Sequence, residues 1–433
     1  MVSPRNTSSE TILCFANVML LNCYKYKNTL KKILLFFALG LLFAGCKIQK
    51  LEKSLPKHSF TGVLIKEANS GKVLFSKNAD KPFVPASNTK ILSMYAALEM
   101  LPDTLPAFRY WVKGDTTFLM GTGDPTLLHP DFPKNPAWAL LEQARVIVYT
   151  DKNLHQERYG AGWSWDDYND YYQAEINALP LYGNVVRVMG DKWSPTYFKK
   201  WEKRAERTSV LRAEYENVFY APEIVNRMQE IPFRTSSELV AALLADTLKK
   251  EVIYRQVDLD PNFKTAWGLP KDTVIRRMMQ PSDNHLAEQL LLMAGGADTL
   301  SSSKSIEKVK AKLLAEFPRP FVWKDGSGLS RYNLFTPAFM VHLLEELYKK
   351  YPTTPLFSYM SVGGKAGTLR NKYKGEIPYV FAKTGSMSGV YNESGYFINR
   401  KGKVLVYSVL KNNFANSVSE NGTATMEWMN RWR

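Results

Sequence analysis

The chain has 433 residues, with 57 Lys and Arg against 41 Asp and Glu, for a formal net charge of +16. Apolar residues make up 45% and charged residues 23%, which excludes wholesale disorder, and the length calls for two or three domains. All three cysteines (Cys14, Cys23, Cys46) lie near the N-terminus, so the body has no disulfide framework, cysteine-based zinc site or cysteine nucleophile.

Lys25, Lys27, Lys31 and Lys32 precede an apolar run from Ile33 to Gly45 that ends at Cys46. A membrane-spanning helix needs about 20 apolar residues, whereas a secretory leader needs about 7–15 behind a positive segment. Residues 1–45 therefore read as a signal peptide, and the polar residues 46–57 as a tether. The end of the leader, Leu42-Phe43-Ala44-Gly45-Cys46, resembles a bacterial lipobox, with Phe43 where Leu is usual. That resemblance implies lipidation of Cys46 and a periplasmic protein anchored by lipid, with the outer membrane as the expected site. Plain cleavage nearby is the alternative, and either route exports the protein. A second apolar stretch, Thr11 to Leu21, is odd for a leader and points to Met19 as the true start. A basic exported protein suits anionic membrane or envelope polymers, and export argues against nucleic acid as a partner.

Two apolar runs, Gly62 to Lys66 and Lys72 to Ser76, flank Asn69-Ser70-Gly71 and predict a β-hairpin. After Pro82 and Pro85, residues Ile91, Leu92, Tyr95, Ala96 and Met100 fall at helical spacing, which predicts a helix over 88–101. Ser87 thus stands where extended chain becomes helix. From about 110 to 268 most of the tryptophans and many turn signals occur, with strands at 146–149 and 185–188 and a helix at 237–249. This stretch reads as an inserted, mainly β domain over 111–268. Helices are predicted at 274–279, 284–293, 306–316 and 337–349. Val380 to Lys383 reads as a strand leading into a Gly-rich turn. Gly395 to Ile398 pairs with Val404 to Leu410, and a short helix over 426–432 ends the chain. Strands at both sequence ends predict one sheet assembled from 58–110 and 269–433.

Three short patterns follow in order: Ser87-Asn-Thr-Lys90, Ser282-Asp-Asn284 and Lys383-Thr-Gly385. Singly the first two are weak, since Ser54/Lys57, Ser301/Lys304 and Ser305/Lys308 also fit S-x-x-K, and Ser76-Lys-Asn78 and Ser419-Glu-Asn421 fit S-x-N. Position distinguishes Ser87: at a helix start, Lys90 lies three residues on, on the same face. A serine hydroxyl needs a base to become a nucleophile. A free lysine, with a pKa of about 10.4, is protonated, and a nearby cation or burial lowers it; Lys383 is the candidate cation. The N–H groups of a helix start favour an oxyanion. The Lys-Thr-Gly triplet offers a cation, a hydroxyl and a residue without a side chain, a receptor for an extended peptide ending in a carboxylate. Ser282 and Asn284 supply a proton relay and an amide clamp. The five histidines show no metal-ligand spacing, so no metal or cofactor is expected.

The ordered triple matches the active-site-serine penicillin-recognising enzymes. Gly121-Thr-Gly-Asp-Pro-Thr-Leu127, Gly162-Trp-Ser-Trp-Asp-Asp167, Asp325-Gly-Ser-Gly-Leu-Ser-Arg331 and Lys383-Thr-Gly-Ser-Met-Ser-Gly-Val390 make the chain similar to class C low-molecular-mass penicillin-binding proteins from about residue 55 to 415. These are D-Ala-D-Ala carboxypeptidases/endopeptidases with large domains inserted between the first two motifs. The resemblance implies an α/β (α+β) fold: a serine β-lactamase/transpeptidase-like domain carrying the insertion. It implies Ser87 as the acylated nucleophile, Lys90 as its base, and Ser282 and Asn284 as relay and amide ligand. Lys383, Thr384 and Ser386 would hold the terminal carboxylate beside Gly385, and the N–H groups of Ser87 and Ser386 the oxyanion. Asp167, Arg331 and Met387 would line a pocket for the free end of a diaminopimelate side chain, and Asp124 reads as a turn residue. The implied partners are peptidoglycan and β-lactam antibiotics. A serine β-lactamase and a non-catalytic penicillin-binding wall sensor are the rival readings. The 111–268 insertion argues against the first, and the intact catalytic positions against the second.

Overall fold

A computed structural model describes residues 59–205, 210–222 and 227–433. The leader, Cys46, the tether and the Ser54/Lys57 pair lie outside these residues. At the centre is an antiparallel sheet built from both ends of the chain: β1 (Phe60–Glu67), β2 (Val73–Lys77), β13 (Ser361–Val362), β14 (Val380–Met387), β15 (Val390–Ile398) and β16 (Val404–Asn412), in the order β13-β14-β15-β16-β1-β2. β15 and β16 are buried along almost their whole length because both faces are covered. On one face the Tyr396 hydroxyl donates to Leu344 O at 2.8 Å, in a helix over Pro337–Lys350. On the other, Gly422 of a helix over Val418–Met429 sits against the Tyr391 ring.

Between these strands the chain runs α1 (Thr89–Met100), β3 (Thr104–Lys113), β4 (Thr116–Gly121), α2 (Trp138–Gln143), β5 (Val146–Thr150), β6 (Val185–Met189), β7 (Lys192–Ser194), β8 (Glu202–Ala205), β9 (Phe219–Pro222), β10 (Gln229–Pro232), α3 (Ser237–Leu248), β11 (Glu251–Tyr254) and β12 (Lys264–Pro270). The helices α4 (Lys271–Met279), α5 (Asn284–Ala294), α6 (Ser302–Leu313), α7 (Pro337–Lys350), α8 (Thr353–Tyr359) and α9 (Val418–Met429) complete it. The strands between α1 and α4 form their own sheets, β11-β5-β4-β3-β12, β10-β6-β7 and β8-β9. One buried apolar cluster draws on residues 64–105 and 274–410, and a second on residues 107–266. The fold is mixed α/β, as the resemblance implies.

Capping explains several boundaries. Asp283 Oδ1 accepts from Leu286 N at 3.0 Å at the start of α5, and Thr336 Oγ1 accepts from Phe339 N at 3.0 Å ahead of Pro337 in α7. Two sequence expectations are corrected. The strand predicted to end at Lys383 runs on to Met387, because every residue from Val380 to Met387 pairs with β15. The closing helix starts at Val418, not Met426: Ser417 caps Glu420 N at 3.1 Å, and Thr425 bonds back to Asn421 O at 2.8 Å. Ser301/Lys304 and Ser305/Lys308 belong to α6 and its N-cap residue. There Ser305 is buried with its hydroxyl on Ser301 O, and Lys308 donates to Gly295 O.

Candidate active site

Side-chain alternation in the central sheet directs the first elements of the site. Lys383 stands opposite Ser394 in the β14–β15 pair, and Ser394 accepts from Asn88 Nδ2 at 2.7 Å. Lys383 therefore points to the face on which the turn at Ser87 and α1 sit. Ser87 lies in a 3₁₀ turn, Ala86–Asn88, that runs directly into α1, and Ala86 takes φ 46°, a left-handed conformation that turns the chain sharply. Two glycines make room for this turn. A Cβ on Gly385 would lie 2.7 Å from Pro85 O and 2.9 Å from Ser87 N, and one on Gly328 would lie 1.9 Å from Ala86 O. The glycine of the Lys-Thr-Gly triplet thus lets β14 press its backbone against the Ser87 turn.

The three motifs meet. Lys90 Nζ lies 3.0 Å from Ser87 Oγ, 2.5 Å from Asn284 Oδ1 and 2.7 Å from Ser327 O. Lys383 Nζ donates to Ser282 Oγ at 2.8 Å and to Thr384 O at 2.7 Å. Ser282 takes φ 70°, a left-handed conformation that costs a non-glycine residue about 1–3 kcal/mol and is held by its surroundings. Thr384 Oγ1 donates to Thr368 Oγ1 at 2.7 Å. Among the described residues, β14 has no strand partner on its β13 side beyond Ala382, because β13 pairs only with Phe381 and Ala382. An extended peptide can add to that free edge.

Both lysines are fully buried. Burial brings Lys90 down to about 8, against Asp325, Glu288 and Asp283, which push it up. Of the two causes the sequence offers, burial rather than the Lys383 cation lowers Lys90. The repulsion is felt at Lys383 instead, which burial first and Lys90 second hold well below an ordinary lysine. Glu288 receives Gly326 N at 3.0 Å and Ser327 N at 2.7 Å, fixing the loop whose carbonyl meets Lys90, and burial and Asp325 raise it to about 8.

A cavity of about 470 Å³ opens at Ser87, and Asp167, Arg331, Ser386 and Met387 all line it with Asn284. Arg331 donates to Ser388 O at 3.4 Å, and Asp167 Oδ1 accepts from the Tyr172 hydroxyl at 3.0 Å. Burial pushes the Asp167 carboxyl up, the Tyr172 hydrogen bond opposes this, and Asp166 and Asp170 add to the rise. Asp124 is buried and accepts from Thr126 N at 2.9 Å, as a turn residue does. Sequence reasoning missed Tyr172, Ser327, Glu288 and Thr368. Glu288 left a readable trace, an acid one helical turn after Asn284 inside the apolar run Leu286 to Leu292. Tyr172 joins the site twice, through its hydroxyl on Asp167 and through its backbone carbonyl, which accepts Asn284 Nδ2 at 2.9 Å.

Comparison with known proteins agrees with this geometry. The model of the D-Ala-D-Ala carboxypeptidase 3 (S13) family matches residues 47–210 and 262–432. The chain is 23% identical over 442 residues to D-alanyl-D-alanine carboxypeptidase DacB of Haemophilus influenzae, covering 88% of this chain and 91% of that protein. It is 26% identical over 430 residues to the D-alanyl-D-alanine carboxypeptidase of an Actinomadura species, covering 84% and 79%. The crystal structure of penicillin binding protein 4 (dacB) from Haemophilus influenzae has the same fold, with a TM-score of 0.68 at 20% identity over 86% of this chain and 94% of that one. The same protein complexed with a β-lactam gives a TM-score of 0.67 at 19% identity over 89% and 99%. With its serine, two lysines and glycine-lined strand edge in one cleft, the chain belongs to the D-Ala-D-Ala carboxypeptidase 3 (S13) family.

Proposed function

We propose that the cleft is the active site of a serine D-Ala-D-Ala carboxypeptidase/endopeptidase that works through an acyl-enzyme on Ser87 and is acylated there by penicillin. The observation that carries this is the set of three oxygens around Lys90 Nζ. A neutral amine has two N–H donors and one lone pair. The carbonyls of Asn284 and Ser327 take the two donors, which leaves the lone pair for the Ser87 hydroxyl.

Lys90 takes the Ser87 proton as Oγ attacks the carbonyl of the penultimate D-Ala. The N–H groups of Ser87 and Ser386 receive the oxyanion. The proton passes by way of Ser282 to the leaving nitrogen, the C–N bond breaks, and water then hydrolyses the ester. Lys383, Thr384 and Ser386 hold the substrate carboxylate, whose arrival restores the cation that burial disfavours on Lys383. Asp167 and Arg331 give the 470 Å³ cavity an acidic and a basic pole, suited to the amino-carboxylate end of a diamino acid, with Met387 as an apolar wall. D-Ala released from a pentapeptide stem by the purified protein tests the reading, and no release sinks it. The rate kcat/KM is expected to rise with pH on a limb near 8 as Lys90 loses its proton, by about ten-fold per unit below it. A flat profile between pH 6 and 9 would remove Lys90 as the base.

We also take 111–268 as an accessory domain inserted into the catalytic domain, supported by an apolar cluster confined to residues 107–266. The leader sequence supports a periplasmic enzyme held by a lipid on Cys46. No helix among the described residues is long and apolar enough to cross a membrane. Metabolic palmitate labelling is expected in the wild type and absent in Cys46→Ala; equal labelling of both rejects the anchor.

A further inference from the structure

We infer that a second cavity beside the site binds the leaving peptide strand of a crosslink, which makes it the determinant of endopeptidase over carboxypeptidase activity. The inference rests on the serine peptidase reading above. This cavity, of about 300 Å³, shares Tyr172 and Asn284 with the Ser87 pocket but is lined by Ser282, which the Ser87 pocket does not include. Two spaces therefore meet at the Asn284–Tyr172 hydrogen bond, one opening on the nucleophile and the other on the relay hydroxyl. The acylated strand must lie against Ser87. The leaving nitrogen must lie against Ser282, so whatever is attached to that nitrogen extends into the second space. A single D-Ala, gripped by its carboxylate at Lys383, has nothing to place there. A crosslink leaves as the side-chain amine of a whole stem peptide, which needs such room.

The walls fit a peptide. Arg187 on β6 donates to Glu230 at 2.8 Å and Asp131 at 2.7 Å, and Arg277 on α4 reaches Asp131 and, at 3.3 Å, Asp283. This alternating chain offers both signs of charge and joins the 111–268 segment to the helices that carry the Ser-x-Asn motif. At the base lies His285, 6% exposed, with neither ring nitrogen hydrogen-bonded. Burial holds it near 4, so it is neutral and offers one donor and one acceptor. Among the described residues no group of three or more His, Cys, Asp or Glu is arranged to hold a metal ion, so the ring does not read as a ligand.

The test compares a pentapeptide monomer with a D-Ala–diaminopimelate crosslinked dimer as substrates of the full-length protein. Val185→Trp fills the cavity from β6, and Arg187→Met removes a charged wall; neither residue lines the Ser87 pocket. Each is expected to lower kcat/KM on the dimer by at least about ten-fold. D-Ala release from the monomer and acylation by fluorescent penicillin should stay within about two-fold of wild type. Dimer cleavage at the wild-type rate in a folded variant overturns the inference, as does parallel loss of both activities in Arg187→Met with an unchanged melting temperature. If Val185→Trp fails to fold, Arg187→Met alone decides. A wild type that cleaves the monomer but not the dimer also overturns it, whereas one that cleaves neither overturns the proposed function itself.

Discussion

Lys90→Ala is expected to lower the rate of acylation by penicillin by about 10³–10⁴-fold, or about 4–5.5 kcal/mol of barrier, while the protein stays folded. General base catalysis accounts for most of this, since a serine hydroxyl without a base is close to unreactive at neutral pH. The remainder is positional, because the ammonium site bridges Asn284 and Ser327 across two elements. Truncation leaves those carbonyls facing a void that water can fill, so the loss of stability should be modest beside the loss of rate. Stopped-flow labelling with a fluorescent penicillin measures it. Acylation within about ten-fold of wild type would mean that another group takes the Ser87 proton.

Gly385→Ala is expected to cost about 10²-fold in the same rate constant, although it adds only a methyl group. The added Cβ would lie 2.7 Å from Pro85 O, 2.8 Å from Asn88 N and 2.9 Å from Ser87 N. All three are backbone atoms, which cannot swing aside as a side chain does. Either β14 retreats from the Ser87 turn or the turn opens. Both move the N–H of Ser386 relative to that of Ser87, and a misplacement of about 1 Å suffices for such a loss. Because the shift falls on the oxyanion donors, kcat should drop more than KM rises on a peptide substrate. A wild-type acylation rate for Gly385→Ala would show that strand and nucleophile are not packed as described.

Much of the fold and the central chemistry was legible because it is local. The Asn69-Ser70-Gly71 turn and the spacing from Ile91 to Met100 each act over a few residues. The order of the three motifs carried the site because each sits on an element that its own neighbours specify. What escaped depends on contacts distant in the chain. The lowered pKa of Lys90 comes from burial, which no spacing reports. The run of β14 to Met387 depends on its pairing with β15, so a Gly-rich sequence that looks like a turn becomes a strand. The start of α9 escaped because Glu420, Asn421, Gly422 and Thr425 give no apolar period. Their polar groups are met by the cap and by bonds back along the helix. Tyr172 meets Asn284 through a backbone carbonyl, and its residue type is silent about that contact.

The central claim is that a buried lysine with a lowered pKa activates one particular serine. Mapping the penicillin adduct by mass spectrometry tests it most directly. A single addition to the intact protein, on the peptide bearing Ser87 and absent from Ser87→Ala, is the predicted result. An adduct on any other serine, or one that persists at equal yield in Ser87→Ala, would contradict it.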